Sequence, residues 1–320
     1  MTNQTKDQIK DQAKNQAKNQ AIDQVAGKIR ELKTAKNAII LSHNYQPADI
    51  QDIADLCGDS LELSIEAAKT SADVIVFCGV HFMAETASIL SPDKKVLLPK
   101  QDAGCPMADM ITPEALEKKK KELKGVPVVT YVNSPASVKA LTDICCTSAN
   151  AVRVVNSLDA KEVLMAPDKN LAQYTAAHTD KKIHLWEGCC PIHDRLTVEE
   201  VIAAKKTHPE ALFMAHPECS PEILALADEI LSTSGMIKFA GKSKLSEFII
   251  GTETGILHPM RNKHPDKRFY PVSTGMECAD MKKIGLEDIA FALENMSGEI
   301  KVPESIRIPA LAAVQKMIEL

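Results

Sequence analysis

From residue 36 onward, short continuous apolar runs alternate with stretches of helical periodicity. NAIILS, ADVIVFCG and KVLLP come first, then VPVVTYV, EVLMAP and KIHLWEG, and finally ALFMAH, MIKFAG and EFIIGT. Runs that are apolar at nearly every position predict strands buried on both faces, as in a parallel sheet covered by helices. LELSIEAAKT and PEILALADEIL, between such runs, carry helical spacing. The pattern predicts an α/β protein. Ahead of it, residues 1–35 repeat polar units such as DQAK and NQAK. Here Ile9, Ala13 and Ala17, then Val25, Ile29 and Leu32, recur at about one helical turn. A polar helical extension is expected, its first half too poor in apolar surface to enter a core.

The strand-like runs fall into three groups that repeat one another. Runs end in polar residues at His43 and Tyr45 (SHNY), at Tyr131 and Asn133 (YVN), and at His216 and Glu218 (HPE); the steps between the groups are 88 and 85 residues. Seventeen residues beyond the first member of each pair stands a hydroxyl: Ser60, Ser148 and Thr233. A cysteine follows at 62, 59 and 62 residues: Cys105, Cys190 and Cys278. Each unit of about 85 residues thus supplies a polar pair, a hydroxyl and a cysteine. Ligands of open α/β sheets bind at the carboxyl ends of the strands, where these pairs fall. Three units around a pseudo-threefold axis would aim all of them at one centre. The units are expected over 36–108, 109–194 and 195–284, each an α/β/α sandwich on a short parallel sheet, with 285–320 packing back on the first.

Composition narrows the chemistry. An apolar fraction of 45% suits a globular protein, and a net charge of −5 argues against a nucleic-acid partner. No apolar run approaches the roughly 18 residues of a membrane span, and MTNQTKDQIKDQAKNQ is too polar for a secretory signal. The reducing cytoplasm is the expected location. Nine cysteines there, an odd number, are not expected to be disulfide staples. No C-x-x-C occurs, so a metal site would need cysteines from distant parts of the chain.

The stretch EGCCPIHDR holds two adjacent cysteines whose side chains diverge, so a metal would take one of them. The repeat selects Cys190. Cys189, like Cys57, Cys78, Cys145, Cys146 and Cys219, is read as packing. Three thiolates from three units suit an iron–sulfur cluster better than structural zinc, and a [4Fe–4S] cluster with three protein thiolates leaves one iron open as a Lewis acid. Tyr45, His43 and Glu218 are the candidates for moving protons. Ser60, Ser148 and Thr233 are expected at helix starts that favour anions. Three alternatives remain: a different iron–sulfur hydro-lyase, a cysteine-ligated zinc hydrolase, and a non-catalytic metal- or phosphate-binding protein. GMIKFAGKS is set aside as a phosphate loop, because five residues separate its glycines and MIKFA reads as a strand. No G-x-G-x-x-G occurs, so no bound dinucleotide is expected.

SHNYQ, GDSLELS, TYVNS, CTSANA, C-x-x-H at Cys190 and His193, AHPEC, STSGM, GTETG and C-x-x-MK at Cys278 occur in this order. Together, from about residue 36 to the carboxyl end, they resemble the quinolinate synthase family. The resemblance implies three α/β domains around a central [4Fe–4S] cluster held by Cys105, Cys190 and Cys278. It implies condensation of iminoaspartate with dihydroxyacetone phosphate to quinolinate, phosphate and water, a step of NAD biosynthesis. By the same resemblance His43, Tyr45, Ser60, Tyr131, Asn133, Ser148, His193, His216, Glu218 and Thr233 line the active site. The expected partners are these two small molecules, with transient contact to the enzyme that produces iminoaspartate, and neither nucleic acid nor membrane. Two departures stand out. The polar extension lacks a counterpart in the family's core, and YPVSTGMEC lacks the extra cysteines that some members carry before the third ligand as a proposed redox switch.

Overall fold

A computed structural model describes residues 20–320 of the chain. Its strands form three four-stranded sheets. The first contains β1 (Ala38–His43), β2 (Leu56–Gly58), β3 (Val74–Cys78) and β4 (Lys95–Leu97), in the order β2-β1-β3-β4. The second contains β5 (Val128–Tyr131), β6 (Ile144–Cys146), β7 (Glu162–Ala166) and β8 (Lys182–Leu185), in the order β6-β5-β7-β8. The third contains β9 (Leu212–Ala215), β10 (Glu229–Ile230), β11 (Glu247–Gly251) and β12 (Arg268–Pro271), in the order β10-β9-β11-β12. Every pairing is parallel, so each sheet repeats one topology. Helices cover the sheets, which is the α/β architecture that the apolar runs predict. All five residues of β3, VIVFC, are buried, as a strand covered on both faces requires.

One aspartate device recurs in all three units. Asp55, Asp143 and Asp228 each stand just before the second strand of a sheet and accept the backbone N–H of the first strand, from Ile40 (2.8 Å), Val128 (2.7 Å) and Phe213 (2.8 Å). Each aspartate's own N–H returns to the carbonyl of the same residue. The pair of bonds ends the preceding helix and pins the edge strand in register.

This corrects one expectation. PEILALADEIL is not one helix: a short helix, Pro221–Leu224, ends before Asp228, and β10 follows. MIKFAG is a second correction, since it lies inside the helix Thr233–Lys242 and not in a strand. The Ser232 side chain caps that helix by accepting the Gly235 N–H. Met236, Ile237 and Ala240 then form its buried face. Four apolar residues in five, interrupted only by Lys238, cannot by themselves separate strand from helix period. The strand argument against a phosphate loop in GMIKFAGKS therefore lapses, while the glycine spacing and the continuous helix still exclude one.

Residues 20–35 are helical. Ala26 and Ile29 are buried, with Ile22, Val25 and Leu32 packed against the core of the first unit. Ile9, Ala13 and Ala17 fall outside the described residues. At the other end, the chain returns from the helix Leu286–Asn295 to the first sheet. Leu98 donates to the Gly298 carbonyl and Ile300 to that of Val96, both at 2.9 Å, and Glu299 bridges antiparallel to Leu97. Gly298 has φ +79°, and a Cβ there would lie 2.4 Å from the Leu98 oxygen, so this strap requires glycine. The last helix, Glu304–Glu319, lies against both the helix His81–Leu90 of the first unit and β6 with Ala136–Lys139 of the second. Among the described residues no helix is long and apolar enough to cross a membrane.

Candidate active site

The carboxyl ends of the three sheets face one central cavity. The loops after β1, β5 and β9, the first strand of each sheet, bring His43 and Tyr45, Tyr131 and Asn133, and His216 and Glu218 to its wall. Beyond β2, β6 and β10 come Ser60, Ser148 and Thr233. Beyond the opposite edge strands, β4, β8 and β12, come Cys105, Cys190 and Cys278, with His193 one helical turn after Cys190. All the residues singled out from the sequence therefore line a single cavity. Because the second and fourth strands lie at opposite edges of each sheet, the topology puts hydroxyls at one end and thiols at the other. An adjoining cavity shares Asp59 and Ser148 with the hydroxyl end.

The hydroxyls sit slightly off their expected role. Ser60 and Thr233 are the first residues of their helices, but Asp59 and Ser232 are the caps, and Ser148 lies in the turn before the helix Ala151–Ser157. Their hydroxyls are thus left for other partners. Thr233 accepts from the Asn44 amide at 3.2 Å, and Ser148 pairs with His216 Nε2 at 3.1 Å. The Asn133 Oδ1 is buried with no hydrogen-bond partner, an acceptor open to a ligand.

Glu218 is the hub. Its Oε1 accepts the Tyr131 hydroxyl at 2.5 Å, and its Oε2 lies 2.7 Å from His193 Nδ1. His193 Nε2 meets Thr252 Oγ1 at 2.8 Å, and Thr252 in turn meets the Tyr45 hydroxyl at 2.5 Å. A continuous hydrogen-bonded chain thus runs Tyr45–Thr252–His193–Glu218–Tyr131 through all three units. Burial opposes ionisation of Glu218, but the His216 and His193 imidazoles and the bonds from His193 and Tyr131 outweigh it and hold the carboxyl well below its usual range. Burial, and then the Glu218 carboxylate, push both Tyr45 and Tyr131 well above the usual phenol value. Burial brings His43 down to about 3, aided by His216, and His216 likewise to about 3. At neutral pH the cavity therefore offers an ionised Glu218, the two phenols of Tyr45 and Tyr131, and uncharged His43 and His216.

All nine cysteines are free. Cys78, Cys145, Cys146 and Cys219 are buried packing residues, and Cys57 and Cys189 are half-buried away from the cavity wall. Burial pushes the Cys105 thiol up to about 12, and raises Cys190 and Cys278 in the same direction. Each of the three also faces backbone N–H groups of the turn that follows it: Ala108 and Met107 for Cys105, His193 for Cys190, and Met281 and Asp280 for Cys278. Such N–H groups favour the thiolate that a metal would draw out. Cys190, His193 and Glu218 lie close enough to hold one metal ion, their ligand atoms all within 4.8 Å of one another.

Sequence reasoning missed Thr252, Glu253 and Asp168. The first two belong to GTETG, and Asp168 to the stretch after EVLMAP. All three follow the third strand of a sheet, and Asp168 and Glu253 recur at the 85-residue step already found. The first unit has Val80 at that position, so no chemically matched triplet drew the eye.

The model of the quinolinate synthetase A protein family matches residues 27–319. The chain belongs to the quinolinate synthetase A family. It is 57% identical over 290 residues to a quinolinate synthase of Geobacter sp. (strain M21), covering 91% of this chain and 95% of that one. It is 55% identical over 295 residues to that of Geotalea uraniireducens (92% and 97%), and 53% over 294 to quinolinate synthase 2 of Methanosarcina acetivorans (92% and 95%). The match to the quinolinate synthetase A family begins at residue 27, not near 36 as the motifs alone suggest. The start falls inside the helix 20–35, next to the buried Ala26 and Ile29. The docked second half of that helix thus reaches into the family's own region.

Proposed function

We propose that the chain condenses iminoaspartate with dihydroxyacetone phosphate to quinolinate in the central cavity, as a step of NAD biosynthesis, with Cys105, Cys190 and Cys278 holding a [4Fe–4S] cluster. Phosphate and two waters leave, which balances the atoms of the aromatic product. The observation that carries the reading is the threefold equivalence of the thiols. Three free cysteines follow the last strand of three identical sheets, each faces the N–H groups of its own turn, and all line the cavity that holds the Tyr45–Glu218 chain. A single ion at Cys190, His193 and Glu218 would leave the matching placement of Cys105 and Cys278 without a reason.

When bound, a cluster with only three protein thiolates supplies an open iron that can act as a Lewis acid on a substrate oxygen. The rest falls to the protein's own groups. Among the described residues no Lys or Arg lines the cavity, so phosphate and carboxylates are held by neutral donors: the Ser60, Ser148 and Thr233 hydroxyls, the uncharged His43 and His216, and N–H groups at the helix starts. The Asn133 Oδ1 accepts from a substrate hydroxyl or imine N–H. Glu218, ionised, accepts from His193 Nδ1 and so fixes the imidazole whose Nε2 serves Thr252. Tyr45, kept as a phenol, donates to a departing oxygen and is refilled through Thr252. Nine free cysteines suit a reducing cytoplasm. Transient contact with the enzyme that supplies iminoaspartate would limit loss of an imine to hydrolysis.

The test is anaerobic purification, iron and sulfide analysis, a visible spectrum, and an assay of quinolinate formed from the two substrates. Iron with matching sulfide and turnover are expected. A metal ion without sulfide would point to the mononuclear site, and a failure to form quinolinate with a full cluster would point to another hydro-lyase.

A further inference from the structure

The second residue past the third strand of each sheet repeats like the site residues, at positions 80, 168 and 253. In two units it is a carboxylate, and both carboxylates grip a cysteine. Asp168 is 2% exposed and divides its two oxygens. Oδ1 accepts the Leu171 N–H at 2.7 Å and caps the helix Lys169–Ala176, while Oδ2 accepts the Cys190 N–H at 3.1 Å. Glu253, 1% exposed, does the same in the third unit: Oε2 accepts from Gly255 N at 2.7 Å and Oε1 from Cys278 N at 3.2 Å. Its Oε1 also meets Lys282 Nζ at 2.8 Å, and the same ammonium donates to the Tyr45 carbonyl. The first unit has Val80 instead and no carboxylate of its own. There the backbone N–H of Gly104, next to Cys105, is taken by Asp280 Oδ1 from the third unit at 3.3 Å.

We infer that Asp168 and Glu253 are positioning residues, which hold the Cys190 and Cys278 loops so that both thiolates face the cluster. The inference rests on the cluster reading above. A backbone N–H turned toward a buried carboxylate fixes the loop's direction, and hence that of the side chain on the same residue. The Cys190 loop has a close-packed neighbour as well. A Cβ on Gly188 would lie 2.5 Å from the Pro167 oxygen, so the Cys190 loop lies directly against the strand end that carries Asp168. Outer-shell partners of this kind typically change metal affinity by about 10–100-fold when removed.

The test separates holding from capping. In Asp168→Ser the shorter side chain still caps Leu171, as serine does well, but cannot reach Cys190. Glu253→Gln keeps length but has one acceptor oxygen for the donors that now share two. Wild type and both variants are loaded with iron and sulfide anaerobically. Iron release to a chelator, the visible and electron-paramagnetic-resonance spectra, and the melting temperature of the apo-proteins are then measured. Expected are iron release at least about 10-fold faster, altered spectra, and apo-protein melting close to wild type for Asp168→Ser. Release at the wild-type rate with unchanged spectra in both variants overturns the inference while leaving the cluster in place. A wild-type protein that takes up no iron and sulfide overturns the cluster reading, and the inference with it.

Discussion

Thr252→Val cuts the hydrogen-bonded chain at its middle while conserving side-chain volume. Thr252 is 1% exposed, and its hydroxyl is the only link between Tyr45 (2.5 Å) and His193 (2.8 Å) in that chain. Valine leaves two polar groups without it. Both line the cavity, but Tyr45 is only partly buried and can find water in place of the hydroxyl, whereas His193 is 2% exposed. The stability cost is thus that of one unsatisfied buried group, about 1–3 kcal/mol. If Tyr45 is reprotonated through Thr252, turnover falls by about 10²–10⁴, the usual cost of losing a positioned proton donor. Tyr45→Phe should fall equally, and the double variant no further, because both substitutions break the same chain. Independent roles would instead multiply the two losses. The assay is steady-state anaerobic quinolinate formation, with iron and sulfide verified in each variant. Turnover of Thr252→Val near wild type, or a double variant that loses the product of the single losses, would refute the chain.

The remaining predictions concern cofactor, pH and fold. Alanine at Cys105, Cys190 or Cys278 should abolish iron and sulfide binding, whereas alanine at Cys57, Cys145 or Cys189 should retain it; a full complement in Cys190→Ala would reject the ligand set. His43 is held uncharged, near 3 in the folded protein against an ordinary 6.5, so the unfolded chain takes up a proton first as pH falls through 6.5. Between pH 7 and pH 5 the wild type should lose about 2 kcal/mol more stability than His43→Asn, measured as the difference in denaturant midpoints; equal pH slopes would show that His43 is not held neutral. Asp143→Ala should leave the Val128 N–H without its 2.7 Å partner and cost about 1–3 kcal/mol, with a similar loss for Asp228→Ala; an unaltered melting temperature would show that the aspartate does not pin the edge strand.

The sheets' inner strands were plain in the sequence because burial on both faces leaves an unbroken apolar run, as in VIVFC. Their second strands were not: LCG, ICC and EI are two or three residues long and flanked by polar groups. Only the aspartate before each strand, at the same 88- and 85-residue steps, marks them. MIKFA misled because its side chains suit either period, and the Ser232 cap that decides it lies upstream. The site residues could be read where the repeat kept residue chemistry similar, as with three hydroxyls and three cysteines. Asp168 and Glu253 stayed hidden because the first unit has Val80, and its Cys105 loop borrows Asp280 from a neighbour. A linear comparison of units does not register a substitution that is compensated across the axis.

The strap at Gly298–Ile300 also sets an order of events during synthesis. It pairs with β4, the edge strand after which the chain runs to Cys105, and it follows all three units in the chain. The first unit is made before the other two, yet its sheet gains this antiparallel neighbour only after all three have been made. Cys278 and Asp280, which complete the thiol end of the cavity, are made just before it. Enclosure of the cavity must therefore wait until residue 300 has been made, and a chain stalled or clipped before it would carry Cys105 and Cys190 with one edge of their surroundings still open.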